Sequence, residues 1–323
     1  MLTKLEDLLL ESLPMRFLIR KSKKIILPGF EGLPLYDVIV FFLLQVKKVG
    51  LNDRAAAISF NLLMAIPAAT IFLGTLIPYM PFSKQITQEL LVLTQDITPD
   101  LSTYLIVKDF LEDFLETPRS GLLSFGFLVA VYYASNAVLG IMRTFNKSLL
   151  YSTSRNFLEN RWMAVRITTV IIFLVLLAIL LMMAQGSLLN WTLDRINLNT
   201  PIINWLVKNL RWLFILALVY YTIAIIYKYG PSIHERWQLS SPGTIFATML
   251  IVITVVIFTI WVNKFNNFNK IYGSIGTILI LMLLIYFSSL VLLIGYELNV
   301  SIHSLKMMAA ERERKEAMEK KDL

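Results

Sequence analysis

The 323-residue chain predicts an all-α polytopic membrane protein: six transmembrane helices, an interfacial N-terminal helix and an outer amphipathic helix. Three observations carry this. Six apolar stretches, roughly 55–78, 121–142, 164–186, 208–229, 244–263 and 275–298, have the length of about 20 residues needed to cross roughly 30 Å of hydrocarbon. Apolar residues make up 57% of the chain and charged residues 16%, with a mean hydropathy of +0.67, far from the soluble balance. The lysines and arginines are also sorted by segment. With the amino terminus inside, segments 1–54, 142–166, 228–243 and 299–323 hold 22 of them and the outer segments 8, which places both termini in the cytoplasm.

Residues 1–54 form a cytoplasmic N-terminal segment. Glu6, Asp7 and Glu11 and the lack of a long apolar core argue against a cleaved signal. Val38 to Val46 is apolar, too short to span, and followed by Lys47-Lys48; it reads as an amphipathic interfacial helix or as a buried elbow leading into the first span. The six-helix domain occupies 55–300. Its first span follows Asp53-Arg54, contains Asn61 and is interrupted by Pro67, where a kink is expected unless neighbours satisfy the freed carbonyl.

Residues 79–120 form an outer insertion. After Thr98-Pro99-Asp100, the apolar Leu101, Leu105, Phe110, Phe114 and Leu115 recur at helical spacing opposite Asp109, Glu112, Asp113 and Glu116, until Thr117-Pro118. This is an amphipathic helix over the outer mouth, serving as a cap, a gate or a partner surface. The second span carries Asn136 and leads to Arg143. Its small residues Gly126, Ala130, Ala134 and Ala137 allow close helix contact within or between chains, so a homo-oligomer is compatible. Asn263 to Gly276, with Tyr272, Gly273 and Gly276, predicts a tight polar hairpin between the last two spans. The last span closes on Gly295-Tyr296-Glu297-Leu298-Asn299. Residues 301–323 form a charged cytoplasmic tail that continues its helix, with Glu311 and Lys315 in i,i+4 order.

Chemistry in such a chain belongs at the polar residues of its spans. Asn61 lies seven residues past Arg54, and Asn136 seven before Arg143, so each asparagine sits two turns, about 10 Å, deeper than its arginine. If these faces converge with Glu297 and Asn299, they line a polar vestibule open to the cytoplasm. Glu297 is then expected to pair with Arg54 or Arg143. Each residue also has a plainer role: asparagines bond across helix pairs and arginines snorkel to headgroups. Planar guanidinium forks suit phosphate or carboxylate, so the substrate expected is an anionic amphiphile among membrane lipids.

Other classes are disfavoured. Cysteine is absent, which removes disulfides, thiolate metal sites and cysteine nucleophiles. His234 and His303 are the only histidines and no acid–base pair accompanies them, so no catalytic residue, metal or cofactor is expected. The basic residues flank spans without an aromatic-basic motif, which argues against a nucleic-acid partner. No G-x-x-x-x-G-K-[ST] motif occurs.

Several of these residues also carry a resemblance from about Leu33 to Ser304. Arg54-Ala55-Ala56-Ala57 with Ser59-Phe60 and Pro67, then Arg143 with Asn146 ahead of Arg161-Trp162, and Lys270 to Gly276 with the closing Gly295 to Asn299, resemble the YihY/BrkB family of bacterial inner-membrane proteins. The resemblance implies six helices with both ends in the cytoplasm. The family has carried the labels serum resistance, envelope-lipid export and a transfer-RNA-processing ribonuclease, ribonuclease BN. Hydrolysis of that kind needs a metal cage or a paired acid and base, so the ribonuclease label is not expected to hold here. The function expected is a transporter or flippase-like protein for a lipidic or amphiphilic envelope component. The alternative is a non-transporting scaffold for envelope assembly.

Overall fold

The computed structural model describes residues 20–80, 83–84, 86–88, 90–91, 101–149, 153, 155–196, 201–233, 236–264 and 274–319. Among these, the long helices are α1 (Leu35–Lys48), α2 (Leu51–Leu76), α3 (Leu101–Glu116), α4 (Ser120–Asn146), α5 (Phe157–Ile196), α6 (Pro201–Tyr229), α7 (Pro242–Lys264) and α8 (Ser274–Glu319). Six of them, α2 and α4 to α8, are long and apolar enough to cross a membrane. In hydrocarbon each backbone N–H must find its acceptor within the chain, and long apolar helices meet that demand. Their outward side chains are greasy: Phe60, Leu128, Phe173, Leu213 and Ile257 are all exposed. The fold is all-α and membrane-embedded.

The six spans close into a ring in chain order, α2 against α4, then α5, α6, α7 and α8, with α8 returning to α2. Among the described residues the ring is filled most tightly at the end that carries α1. There the ring of Phe145 from α4 stacks on Tyr296 from α8 at 3.7 Å, and Tyr227 from α6 meets both edge-on at 5.8 and 5.9 Å. Buried hydroxyls need acceptors, and these have them: Tyr296 donates to the carbonyl of Phe145 at 3.1 Å and Tyr227 to that of Leu292.

The short apolar helix settles between its two expected roles. Gly50, at φ +66°, makes a left-handed junction that lets α1 turn away from α2. Val38 is buried with Phe30 and Ile302, and Phe42 packs on Phe246 of α7, while Leu43 and Leu44 remain exposed. At the opposite end α3 lies against α2, with the ring of Phe114 seated over Gly74 and Leu115 buried. Its acidic face is held by Arg119 to Asp113 and Lys108 to Glu112. α2 remains one helix through Pro67. α8 runs without a break from the apolar span into the charged tail, over 46 residues. Of the expected outer hairpin, Tyr272 and Gly273 lie outside the described residues, and Gly276 falls in the first turn of α8. Thr98-Pro99-Asp100 and His234 are also outside them.

The α7–α8 crossing depends on missing side chains. A Cβ on Gly295 would stand 2.5 Å from that of Ala247 and 2.8 Å from both the Gly243 carbonyl and the Tyr227 hydroxyl. A Cβ on Gly243 would meet the Gly295 carbonyl and the Asn299 amide. Small residues of this kind let helix backbones approach where no hydrophobic force drives them together. Gly295→Ala should therefore destabilise the fold by about 1–3 kcal/mol, the usual range for overpacking. Thermal melting in detergent would show it, with partial recovery in Gly295→Ala/Ala247→Gly; a single variant that melts like wild type would refute the close crossing.

Candidate functional site

At the α1 end four segments converge on one carboxylate. Glu297, on α8, is 0% exposed. The hydroxyl of Ser148, just past the end of α4, donates to its Oε1, and Arg54, in the first turn of α2, donates to that same hydroxyl. The guanidinium stands 3.7 Å from the carboxylate, with its side chain 16% exposed. Ser148 thus bridges acceptor and donor at once. Gln45 of α1 faces the same group, but Oε2 has no partner at hydrogen-bonding geometry. A buried ion pair gains little net stability, whereas removing one partner leaves a bare charge at a cost of about 3–5 kcal/mol.

The other expected vestibule residues are drawn to separate contacts. Arg143 lies on the face of α4 shared with Asn136, turned from the Glu297 side; it is exposed and makes no hydrogen bond or ion pair among the described residues. Asn136 accepts a hydrogen bond from Arg161 of α5. Asn61 bonds back to the Ala57 carbonyl at 2.8 Å and packs on Gly140 of α4. Asn299 caps α7 from another helix: its Oδ1 accepts from the Gly243 N–H and its Nδ2 donates to Ser241, both at 2.8 Å. Phe145, Tyr227 and Tyr296 occupy the middle of this end, where the vestibule was expected. A cavity of about 260 Å³ opens beside it instead, bordered by Glu31, Arg236, Trp237, Asn299 and His303.

A second polar clamp holds the loops. Asn146 accepts from the backbone N–H of Ser232 at 2.9 Å and donates to its hydroxyl at 3.1 Å. Arg155 donates to the carbonyls of Gly230 and Pro231, at 3.5 and 3.0 Å. Burial holds the Arg155 guanidinium below its ordinary value, Arg236 adds to that shift, and Glu159 opposes it. Of the residues that sequence reasoning missed, Ser148 and Gln45 lack any composition signal. Arg161 could have been suspected, because it falls close ahead of an apolar span.

The bridged pair makes a prediction in detergent melting. Arg54→Glu alone should lower stability by several kcal/mol, on the scale of about 3–5 for a broken buried pair, and Arg54→Glu/Glu297→Arg should recover part of it. Losses that simply add in the double variant would show that the two charges are not coupled.

Comparison with known proteins adds to this geometry. The chain is 27% identical over 261 residues to the ribonuclease-like protein YfkH of Bacillus subtilis, covering 80% of this chain and 93% of that protein. It is 27% identical over 163 residues to a UPF0761 membrane protein of Tolumonas auensis, covering 49% of this chain and 51% of the relative. A UPF0761 membrane protein of Pseudoalteromonas translucida is 34% identical over 94 residues, 28% of this chain and 31% of its own. No solved structure matches. The family described as virulence factor BrkB matches residues 42–321, from within α1 to beyond the end of α8, and so takes in the whole ring. This chain therefore belongs to the BrkB family, as an integral membrane protein.

Proposed function

We propose that the protein handles an anionic amphiphile of the cell envelope, as a transporter or flippase-like protein of the inner membrane with both termini in the cytoplasm. The observation that carries this is the Arg54–Ser148–Glu297 cluster, a fully buried carboxylate of which one oxygen has no hydrogen-bond partner among the described residues. Packing alone would be served as well by apolar residues, and ionisable groups kept at such positions are by default functional. In this reading the cluster latches α2, α8 and the α4–α5 loop, and an anionic head competing for Arg54 loosens it. Membrane lipids are the partners, and two apolar grooves, of about 530 Å³ between α2 and α8 and about 520 Å³ between α6 and α7, suit acyl chains. The sorting of basic residues supports the orientation.

The name of the Bacillus subtilis relative is not carried across. Among the described residues no group of three or more histidines, aspartates or glutamates is placed to hold a metal ion, and one buried glutamate does not make a paired acid and base. We read the protein as non-enzymatic. The packed Phe145–Tyr227–Tyr296 centre favours a second reading, a scaffold with no path through it.

Liposomes containing the purified protein should move labelled anionic lipid faster than empty ones. Arg54→Ala and Glu297→Gln should change that rate by roughly tenfold, the effect of about 1.4 kcal/mol on a barrier. Movement no faster than in empty liposomes would turn the choice to the scaffold. The orientation has its own test: because the chain lacks cysteine, Arg312→Cys offers a single label in the tail, expected to react only from the cytoplasmic side.

A further inference from the structure

The last turns of α4 and the first turns of α5 carry three guanidinium groups, with Arg161 and Arg166 five residues and so about 140° apart around α5. Arg161, the fifth residue of α5, reaches inward to Asn136, which lies ten residues, about 15 Å, from the end of α4. Its guanidinium lies over the ring of Tyr132, 4.8 Å from the centroid. Arg166, one turn beyond Trp162 and exposed, sits over that indole at 5.5 Å. Arg143 stands exposed on the Asn136 face of α4, nearer its end. Among the described residues none of the three pairs with a carboxylate. The nearest acid in sequence, Glu159, accepts from the backbone N–H of Asn156 at the start of α5. Around the arginines the surface is apolar and open, with Leu128, Tyr132, Phe157, Leu158 and Trp162 all exposed.

Cations at this depth need an anion. Arg161 has five N–H donors, and the described residues supply one amide oxygen and a ring face. Half-buried and directed inward to Asn136, it does not follow the usual outward course of a snorkelling side chain. We infer that the α4–α5 face is a binding site for the head of a phosphate-bearing anionic lipid, with Arg143, Arg161 and Arg166 receiving the phosphate oxygens and Tyr132 and Trp162 flanking the head. Guanidinium forks bind phosphate oxygens in pairs, and three of them match a head with two phosphates better than one. The exposed aliphatic and aromatic side chains around them select a lipid over free phosphate, since only a lipid also covers that surface. This rests on the amphiphile reading and adds to it a head-group site separate from Arg54; it is tested by binding rather than by movement, so the two can fail separately.

The purified full-length chain would be titrated in neutral nanodiscs with phosphatidylglycerol, with a lipid bearing two phosphates and with phosphatidylcholine, and in parallel with inorganic phosphate and diphosphate. Both anionic lipids should bind at least tenfold tighter than phosphatidylcholine, the two-phosphate lipid most tightly. Arg161→Ala/Arg166→Ala should weaken them by about tenfold or more, as expected for loss of one charge-assisted pair of about 1.4 kcal/mol. Arg143→Gln/Arg166→Gln removes two charges that make no hydrogen bond to the described protein, so it keeps the test valid if Arg161 proves necessary for folding; it too should lose anionic preference. Equal binding of phosphatidylcholine and the anionic lipids, unchanged preference in both variants, or displacement of lipid by free phosphate at similar concentrations would each overturn the site.

Discussion

A carboxylate removed from water must be met by donors, and at Glu297 that requirement gathers parts of the chain that nothing else would bring to one point. Ser148 and Arg54 come from the end of one span and the start of another, and Gln45 comes from the helix lying across them. Apolar surface cannot supply this specificity inside a bilayer, because lipid tails solvate leucine as well as another helix does. Directional contacts therefore decide which helix stands next to which. The ring order follows, with α8 returned to α2 where the bridged pair closes the circle.

Packing is graded from the centre of the ring to its outside. Around Glu297 the aromatic trio, the Gly243–Gly295 crossing and the Asn299 cap leave little free volume. On the outside of the ring, grooves between α2 and α8 and between α6 and α7 begin at the same level, at Ala56 and at Ile245. Stability is unevenly spread in such a molecule, with the least packed regions opening first. The filled centre around Phe145, Tyr227 and Tyr296 acts as the fixed part, and the grooved outer surface as the part with freedom to rearrange.

Much of this was legible in the sequence because long apolar runs and helical periodicity are local signals. The six spans, the outer helix after Asp100, the tail continuing α8 and the pairing of Glu297 with an arginine, Arg54 or Arg143, follow from spacing or from the cost of a lone charge; that the partner is Arg54 came only with the structure. What periodicity could not settle is the direction of each face. The equal offsets of Asn61 and Asn136 did not bring the two together: Asn61 meets α4 at Gly140, four residues or about 6 Å along the helix from Asn136, and Asn136 turns to α5 because Arg161 reaches it there. Asn299 sits at the expected level but caps α7, since a helix start at Gly243 needs acceptors close by. Ser148 was invisible, because a serine beyond a helix end has a role only once Glu297 is brought against it.

The bridge between Arg54 and Glu297 also sets a timetable for biosynthesis. Ser148 follows Arg54 by 94 positions and Glu297 follows Ser148 by 149. At about 5–20 residues per second, the second interval alone lasts roughly 7–30 s. Throughout it the guanidinium at the start of the first span has its hydroxyl neighbour but not its counter-ion, and the ring stays open on that side. The nascent protein is thus an incomplete arc exposing a charged seam to the surrounding bilayer until the final helix enters. Premature termination anywhere before that helix would leave the arc unclosed, a feature by which membrane quality control could recognise it.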